Sequence, residues 1–292
     1  MKRLSGFEEI VRPAWPMAEL TWFKLGGPAE FLAEPHSVEQ LADLVRRCRD
    51  EAMPVRMLGG GSNVLVRGEG VAGVVIRLDG DTFAEVRTNR PHLYAGGGAI
   101  LGHVISAAVR EGLGGLEHMV GVPGTVGGAL HGNAGSHGTD IGQWTCRATL
   151  MTRAGEILQR ERDELVFAYR QSNLDELVIL EAQFALDEDD SEQLTKRMQK
   201  QWIIKKASQP MADLSAGCIF KDLRGTSAAT LIEQAGLKGA KLGAAEVSQQ
   251  HANFIIAHEG STSHDVVALI DLVRDEVTRR LGVELELEIE IW

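Results

Sequence analysis

The chain has 292 residues, of which 44% are hydrophobic and 24% are charged, and its formal net charge at pH 7 is −11. The length and composition suit a globular protein of about two domains, and an acidic chain without a basic tract is a poor match for nucleic acid or an anionic membrane. The three cysteines form no CxxC pair, which is typical of reduced thiols. No apolar run reaches roughly 18 residues, and the first residues lack a signal-peptide core. We therefore expect a cytoplasmic protein without membrane insertion.

The N-terminal part predicts a strand, a helix and a strand in succession, over 31–33, 37–52 and 55–58. Ser37 and Gln40 have the spacing of a capping box at the start of the helix, and Pro54 ends it. One helical face carries the apolar residues Leu41, Leu44, Val45 and Cys48. This alternation favours an α/β arrangement.

A glycine-rich segment, GGGSN at 59–63, follows the second of these strands. Val64 and Leu65 come next and predict another strand. A Rossmann motif would read G-x-G-x-x-G and lead into a helix, so we reject it. We interpret the segment as a phosphate-contacting turn between two strands, with an ordinary hairpin turn as the alternative.

A second segment, 121–138, reads GVPGTVGGALHGNAGSHG. Glycine permits left-handed turns and close approach of the backbone, and successive N–H groups in such loops form nests for anionic oxygens. The apolar residues Val122, Val126 and Leu130 argue against the alternative, a mobile surface loop. We interpret the segment as a cradle for a phosphate-bearing cofactor.

The remaining pattern mixes strands and helices. Strands are expected over 74–78, 93–98, 149–152, 156–159, 177–186, 215–221, 251–257 and 283–292, and helices over 100–111, 194–206, 228–235 and 262–281. The inward-facing residues predicted for the helices are Ile100, Val104, Ala107, Ala108, Leu194, Met198, Trp202, Val266, Ile270, Val273, Val277 and Leu281. The acidic run 187–192 is interpreted as a solvated junction close to a domain boundary.

Two residues offer chemistry with open alternatives. Cys218 follows a glycine turn and is either a small buried hydrophobe or an acid that faces a cleft. Arg170 is either a surface charge or a clamp for a carboxylate. In the last strand one face carries Glu284, Glu286, Glu288 and Glu290, and a solvated row is the simplest interpretation because four adjacent like charges cannot all be buried.

The histidines predict no metal site. His118, His131 and His137 lie near the glycine loop, but their spacing matches no zinc-binding pattern. His251 could line a pocket or could equally be a satisfied core histidine.

Taken together, these stretches resemble the UDP-N-acetylenolpyruvoylglucosamine reductases. The matching motifs are LGGGSNVLV at 58–66, GLEHMVGVPGTVGGALHGNAG at 115–135, AYRQSN at 168–173, SAGCIFK at 215–221, HANFI at 251–255 and GVELELEIEI at 282–291. They occur in the family's order. The two glycine segments alone would indicate only the wider FAD-binding fold of the vanillyl-alcohol oxidase group.

The resemblance implies a mixed α/β and α+β fold with FAD and NADPH as cofactors. Two FAD-binding subdomains would cover 1–78 and 79–200, and a smaller α+β substrate domain would cover 201–292. The implied FAD-binding residues are Gly59, Gly60, Gly61, Ser62, Asn63, Val64 and Leu65, together with Gly121, Val122, Pro123, Gly124, Thr125, Gly127 and Gly128.

The resemblance also implies a reaction. NADPH would reduce the flavin, which would deliver a hydride to the enolpyruvyl double bond of UDP-N-acetylglucosamine enolpyruvate, a step in peptidoglycan precursor synthesis. The enolate that results requires a cation and a proton donor. Arg170 matches the family's arginine, Cys218 its proton donor and Glu288 its glutamate, although a two-residue slip would select Glu286 or Glu290 instead. Substrate-binding residues by the same match are Lys221, His251 and Asn253.

The chain departs from the family pattern at several positions. Lys221 is followed by Asp222-Leu223 in place of Asn-Pro, Ser208 stands at a frequent lysine position for which Lys205 or Lys206 could compensate, and Glu290 replaces an arginine. The segment after Arg170 has no room for the tyrosine-bearing insertion of some members, which indicates the shorter subtype with a more open site. The alternatives are an FAD-dependent oxidase with another substrate and a non-catalytic nucleotide-binding module. We expect a monomer or a weak oligomer.

Overall fold

The computed structural model describes residues 2–136 and 138–292, so His137 lies outside the described residues. The chain forms two compact units. The first contains the residues up to Ala14, Glu30–Gly60 and Ala72–Ile204, and the second contains Trp15–Ala29, Gly61–Val71 and Lys205–Trp292. The division of the chain at 78 and 200 stays a prediction.

A four-stranded sheet in the first unit has the order Val11–Pro16, Pro28–Ala33, Val71–Arg77 and Val55–Leu58. The last two strands are parallel. The helix Val38–Asp50 connects the strand Pro28–Ala33 to the strand Val55–Leu58. The helix buries Leu41, Ala42, Leu44, Val45 and Cys48, as its spacing predicts. Ser37 Oγ accepts a hydrogen bond from Gln40 N at 3.2 Å. The predicted capping box is only half formed, because the Gln40 side chain accepts from His36 N at 2.7 Å instead.

A five-stranded antiparallel sheet forms the other core of this unit. Its order is Ile157–Glu161, Thr145–Met151, Val178–Ala185, His92–Gly96 and Val86–Asn89. The helix Leu101–Arg110 buries Leu101, Val104, Ile105, Ala108 and Val109. The predicted inward face was therefore partly wrong: Ile100 is 52% exposed and Ala107 is half-buried. Ile100 stands at the N-cap, where the backbone has not yet turned helical.

Further helices and short strand pairs complete the first unit. The helices are Asp81–Ala84, Val126–His131 and Ser191–Ser208, and the last four residues of Ser191–Ser208 belong to the second unit. The 3-10 helices are Lys2–Leu4, Leu116–Met119, Ile141–Gln143 and Arg162–Glu164. Three pairs of two-residue strands are Leu113–Gly114 with Asp187–Glu188, Gly135–Ser136 with Thr139–Asp140, and Phe167–Ala168 with Gln171–Ser172.

The predicted burial of Trp202 was wrong. Leu194 is buried, but Trp202, Ile203 and Ile204 are 39%, 67% and 46% exposed. Helical spacing identifies residues that share a face, but it does not show how far along the helix other elements cover that face.

The second unit contains a three-stranded antiparallel sheet of Lys241–Leu242, Ala245–Val247 and Ile255–Ala257. The helices Ala228–Gln234 and Ser263–Leu281 pack on its core, and Met17–Glu19 is a 3-10 helix. Thr262 caps the long helix, because its Oγ1 accepts from Asp265 N at 3.1 Å while Asp265 Oδ2 accepts from Thr262 N at 2.9 Å.

Three predicted strands of the second unit are much shorter than expected. The segment 215–221 contributes one antiparallel bridge, between Phe220 and Leu287. Within 251–257 only Ile255–Ala257 is a strand, and within 283–292 only Glu290–Ile291, which pairs in parallel with Val64–Leu65. The alternating burial holds at Leu285 and Ile289, which are buried, but Glu288 on the opposite face is half-buried. Alternation requires only an extended backbone, whereas a strand requires a neighbour along its length.

Within the described residues, no helix is both long and apolar enough to cross a membrane.

Candidate functional site

The two glycine segments meet in the first unit. A Cβ atom built on Gly59 would lie 2.8 Å from Thr125 Oγ1, and one on Gly60 would lie 2.7 Å from Gly124 Cα. Real Cβ atoms do not approach other atoms this closely, so glycine at these positions permits the two segments to touch. The sequence predicted a phosphate-contacting role for each segment separately, and the structure brings these parts of them together.

The second glycine segment is also bonded to the turn at 97–99. Gly127 N donates to Gly97 O at 2.8 Å, Val126 N donates to Ala99 O at 2.9 Å, and Gly124 O accepts from Leu101 N at 3.0 Å. Thr125 caps the short helix Val126–His131 through its hydroxyl. The part of the segment at 124–128 is therefore hydrogen-bonded into the unit, which favours the cradle over a mobile loop.

The chemistry of this surface fits a phosphate-bearing cofactor. Gly60 meets the backbone of Gly124, Gly59 meets the hydroxyl of Thr125, and none of the four residues carries a carboxylate. Glycine-rich backbone without acidic side chains suits anionic oxygens.

The rest of the first glycine segment belongs to the second unit. Gly61 has φ +65°, and a Cβ there would lie 2.0 Å from Leu20 O. Gly61 O accepts a hydrogen bond from Trp22 N at 3.0 Å. The segment 20–22 thus holds this turn, a role that sequence reasoning missed because nothing in its apolar composition marks a backbone contact 40 residues away.

Arg170 lies at the tip of a tight hairpin in the first unit. Phe167–Ala168 pairs with Gln171–Ser172, which leaves Tyr169 and Arg170 as the two loop residues. Arg170 has φ +55°, a left-handed conformation that costs roughly 1–3 kcal/mol for a residue other than glycine. Its Nη1 donates to Gly135 O at 3.2 Å. The end of the second glycine segment therefore contacts the predicted catalytic arginine.

Cys218 and Glu288 are neighbours through the backbone of the second unit. Glu288 N donates to Ile219 O at 2.8 Å, directly after Cys218. Gly217 has φ +76°, which makes the tight turn that sequence reasoning expected before the cysteine. Cys218 is half-buried. The side chain of Asn63 donates to Glu288 O at 3.0 Å, so the first glycine segment also braces this glutamate.

The structure distinguishes Glu288 from the other carboxylates of its row. Glu286 pairs with Lys221, Glu290 accepts from Trp292 Nε1 at 2.9 Å, and Glu284 is exposed. Glu288 is half-buried, and its Oε2 atom is fully shielded from solvent. Glu288 is therefore the member of the row that has a solvent-shielded carboxylate oxygen, and its catalytic role stays a prediction.

The three residues predicted to bind substrate have distinct surroundings. Asn253 is 2% exposed, and its Oδ1 accepts from Phe220 N at 2.9 Å while its Nδ2 donates to Phe220 O at 2.8 Å. Both ends of this amide thus fix the backbone near Cys218. Burial lowers the pKa of His251, which favours the neutral imidazole, and its ring lies edge-on to Phe254 with centroids 4.9 Å apart.

Two departures from the family pattern have visible consequences. Asp222 Oδ1 accepts from Ala228 N at 2.9 Å, so it helps to cap the helix Ala228–Gln234. Of the two lysines that could compensate for Ser208, Lys205 is buried, whereas Lys206 is exposed.

Comparison with known proteins defines the class first. Residues 29–160 match the family described as "FAD binding domain", and residues 209–292 match "UDP-N-acetylenolpyruvoylglucosamine reductase, C-terminal domain". With the glycine contact described above, these matches define an FAD-containing oxidoreductase with a separate C-terminal domain, which confirms the predicted fold class.

The relatives then give the family. The chain is 41% identical over 284 residues to UDP-N-acetylenolpyruvoylglucosamine reductase 2 of Symbiobacterium thermophilum, covering 97% of this chain and 92% of the relative. It is 39% identical over 283 residues to the reductase of Rhodopirellula baltica, covering 97% and 93%. The crystal structure of the Thermus caldophilus reductase superposes with a TM-score of 0.83 at 33% identity, covering 97% and 98% of the two chains. This chain belongs to the UDP-N-acetylenolpyruvoylglucosamine reductase family.

Proposed function

We propose that this protein uses NADPH and bound FAD to reduce UDP-N-acetylglucosamine enolpyruvate to UDP-N-acetylmuramate, a peptidoglycan precursor. The observation that carries the proposal is the 41% identity to a reductase of that name over 97% of the chain. We assign the reactive roles to Arg170, Cys218 and Glu288, which lie in the motifs AYRQSN, SAGCIFK and GVELELEIEI.

The two glycine segments are proposed to hold FAD through its pyrophosphate. The residues concerned are those of 59–65 together with Gly121, Val122, Pro123, Gly124, Thr125, Gly127 and Gly128. The proposal is supported by the side-chain-free contact between Gly60 and Gly124, where any Cβ would collide with backbone. When bound, FAD accepts a hydride from NADPH and supplies one to the substrate.

Hydride addition to the enolpyruvyl double bond leaves negative charge on the neighbouring carbon and its carboxylate. We assign Arg170 to stabilise that charge, since a guanidinium offers two parallel N–H donors to a carboxylate. An arginine kept in a left-handed conformation at a hairpin tip supports this assignment, because such strain persists mainly where a side chain must be placed.

Donation of the proton that completes the reduction is assigned to Cys218. Its thiol would donate a proton to the carbon that carries the negative charge, and the thiolate would then take a proton from solvent. An unperturbed thiol has a pKa near ~8.5, so it is a far stronger acid than a hydroxyl. Glu288 is assigned as the carboxyl group beside this step, supported by its shielded Oε2 atom and its bond to the residue after Cys218.

The remaining assignments concern the substrate and the setting. We propose that Lys221, His251 and Asn253 contribute to substrate binding, with Asn253 acting through the backbone that it fixes. We also propose a cytoplasmic monomer or weak oligomer. The acidic net charge and the absence of any disulfide within the described residues support this setting.

The test is an anaerobic experiment in two steps. NADPH is first used to bleach the flavin absorbance of the purified protein, and UDP-N-acetylglucosamine enolpyruvate is then added. Rapid return of the oxidised spectrum is expected. A flavin that stays reduced until oxygen is admitted would reject the reductase and favour an oxidase with another substrate.

Variants of Cys218 test the proton donor in the same assay. Cys218→Ala is expected to slow flavin reoxidation by about 10²- to 10⁴-fold, the usual contribution of a positioned general acid, while reduction by NADPH is unchanged. Cys218→Ser should retain more activity than Cys218→Ala because a hydroxyl can still donate. Equal rates in Cys218→Ala and the parent protein would remove Cys218 from the mechanism.

A further inference from the structure

Asn133 is a buried polar residue in an unusual conformation, and neither the motifs nor the proposed reaction accounts for it. It is 2% exposed and has φ +44°, so its backbone is left-handed. It lies in the second glycine segment after the helix Val126–His131. A buried amide requires hydrogen-bond partners for both its donor and its acceptor.

Both partners are visible in the first unit. Asn133 Nδ2 donates to Ala168 O at 2.8 Å, and Asn133 Oδ1 accepts from Gly142 N at 3.1 Å. Ala168 is paired with Gln171 across the hairpin, directly before the two loop residues Tyr169 and Arg170. The donor bond of Asn133 therefore ends at the base of the turn that carries Arg170.

Two further contacts join the same segment to the same hairpin. Ser172 Oγ donates to His131 O at 2.9 Å on the returning strand, and Arg170 Nη1 donates to Gly135 O at 3.2 Å at the tip. The bond from Asn133 differs from these two contacts because Asn133 is buried, so water cannot easily replace the bond that its amide makes. The strained φ of Arg170 means that the hairpin tip needs support from outside the hairpin.

We propose that Asn133 is a positioning residue that fixes the Arg170 guanidinium for the half-reaction in which the enolpyruvyl substrate reoxidises the flavin. The proposal rests on the assignment of Arg170 to stabilise the enolate, and it adds the residue that acts through it. Asn133 itself touches no reacting atom. Loss of the Asn133 side chain would leave the hairpin formed but would allow the Arg170 guanidinium to shift. A misplacement of about 1 Å costs on the order of 10²-fold in rate.

Two substitutions separate the amide from the backbone. Asn133→Gly removes both side-chain bonds but suits φ +44°, since glycine adopts left-handed conformations without strain. Asn133→Asp keeps the size and the acceptor for Gly142 N but places a carboxylate oxygen against Ala168 O, so it specifically disrupts the bond to the hairpin. Thr145→Val is the matched control, because it removes a buried bond of the same length, from Thr145 Oγ1 to Ile141 O at 2.8 Å, in which no hairpin residue takes part.

The two half-reactions are measured separately by stopped-flow absorbance. Asn133→Asp is expected to slow flavin reoxidation by the enolpyruvyl substrate by about 10- to 100-fold, to leave flavin reduction by NADPH within about twofold, and to leave FAD affinity unchanged. Asn133→Gly should show the same pattern more weakly, and Thr145→Val should change neither half-reaction. A purely structural role would lower FAD affinity or slow both half-reactions, because Asn133 lies in the segment that is proposed to hold FAD.

A double-mutant cycle with Arg170→Ala decides whether Asn133 acts through Arg170. If it does, Asn133→Asp has no further effect once the guanidinium is gone. Additive losses would overturn the proposal, as would a normal reoxidation rate in Asn133→Asp. A normal rate in Arg170→Ala alone would instead refute the role assigned to Arg170 under the proposed function, so the two failures are distinguishable.

Discussion

Replacing Gly128 with alanine tests whether the fold or the bound cofactor requires glycine at this position. A Cβ on Gly128 would meet only Thr125 Oγ1, at 3.7 Å, which is an ordinary contact. Gly128 is in the helix Val126–His131, where alanine is favoured over glycine by up to about 1 kcal/mol. The cofactor-free protein should therefore be slightly stabilised by Gly128→Ala.

FAD binding should respond in the opposite direction. If the pyrophosphate lies against the backbone of this segment, the new methyl group occupies space that the cofactor needs, and such overpacking costs about 1–3 kcal/mol. At about 1.4 kcal/mol per tenfold change, the dissociation constant for FAD should rise by roughly 5- to 150-fold. The assay is titration of cofactor-free protein with FAD, followed by flavin fluorescence, together with thermal unfolding of the same sample.

Gly102 provides the matched control. It also lies in a helix of the first unit, Leu101–Arg110, and a Cβ there would meet nothing within 4 Å. Gly102→Ala should give a comparable gain in stability and no change in FAD affinity. If Gly128→Ala binds FAD as tightly as Gly102→Ala, the cofactor does not approach this backbone and the reasoning from the glycine segment fails.

Two further predictions concern titratable side chains. Glu288→Gln should lower kcat by at least tenfold, whereas Glu284→Gln, an exposed member of the same row, should leave steady-state kinetics unchanged; equal effects would show that the register selecting Glu288 is wrong. Burial raises the pKa of the Cys48 thiol from 9.0 to about 11. Between these two pH values the unfolded chain loses a proton that the folded chain keeps. The free energy of unfolding should therefore fall as pH rises through this range, by at most about 3 kcal/mol. Urea unfolding at pH 8.5 and 10.5 should show this decrease, and a Cys48→Ala variant with the same slope would exclude Cys48 as its source.

Local elements followed directly from local chemistry. Ser37 caps the helix Val38–Asp50, and apolar spacing correctly gave its buried face. Strands were predicted over 149–152 and 156–159, and the structure pairs the longer strands Thr145–Met151 and Ile157–Glu161 as antiparallel neighbours. These features depend on residues a few positions apart, so propensity and periodicity contain the necessary information.

Other features depended on partners that are remote in sequence. Asn133 bonds to Ala168 across 35 positions, and Asn253 bonds to Phe220 across 33. No spacing rule connects such pairs, so the sequence did not reveal the hydrogen bonds of Asn133 or those that join Asn253 to Phe220. Trp202 was assigned to the core for the same reason, since its exposure depends on elements that a single helix cannot reveal.

By itself the sequence determined the family and the glycine segments, and it marked Arg170, Cys218 and Glu288 as the residues proposed for the chemistry, because each lies in a motif whose residue types reflect a chemical requirement. Only the tertiary structure brought Gly60 against Gly124, separated Glu288 from the solvated glutamates of its row, and supported the Arg170 hairpin on a buried asparagine. The physical reason is that backbone contact, solvent shielding and hydrogen-bond satisfaction are properties of the space around a residue, and that space is filled by segments distant along the chain.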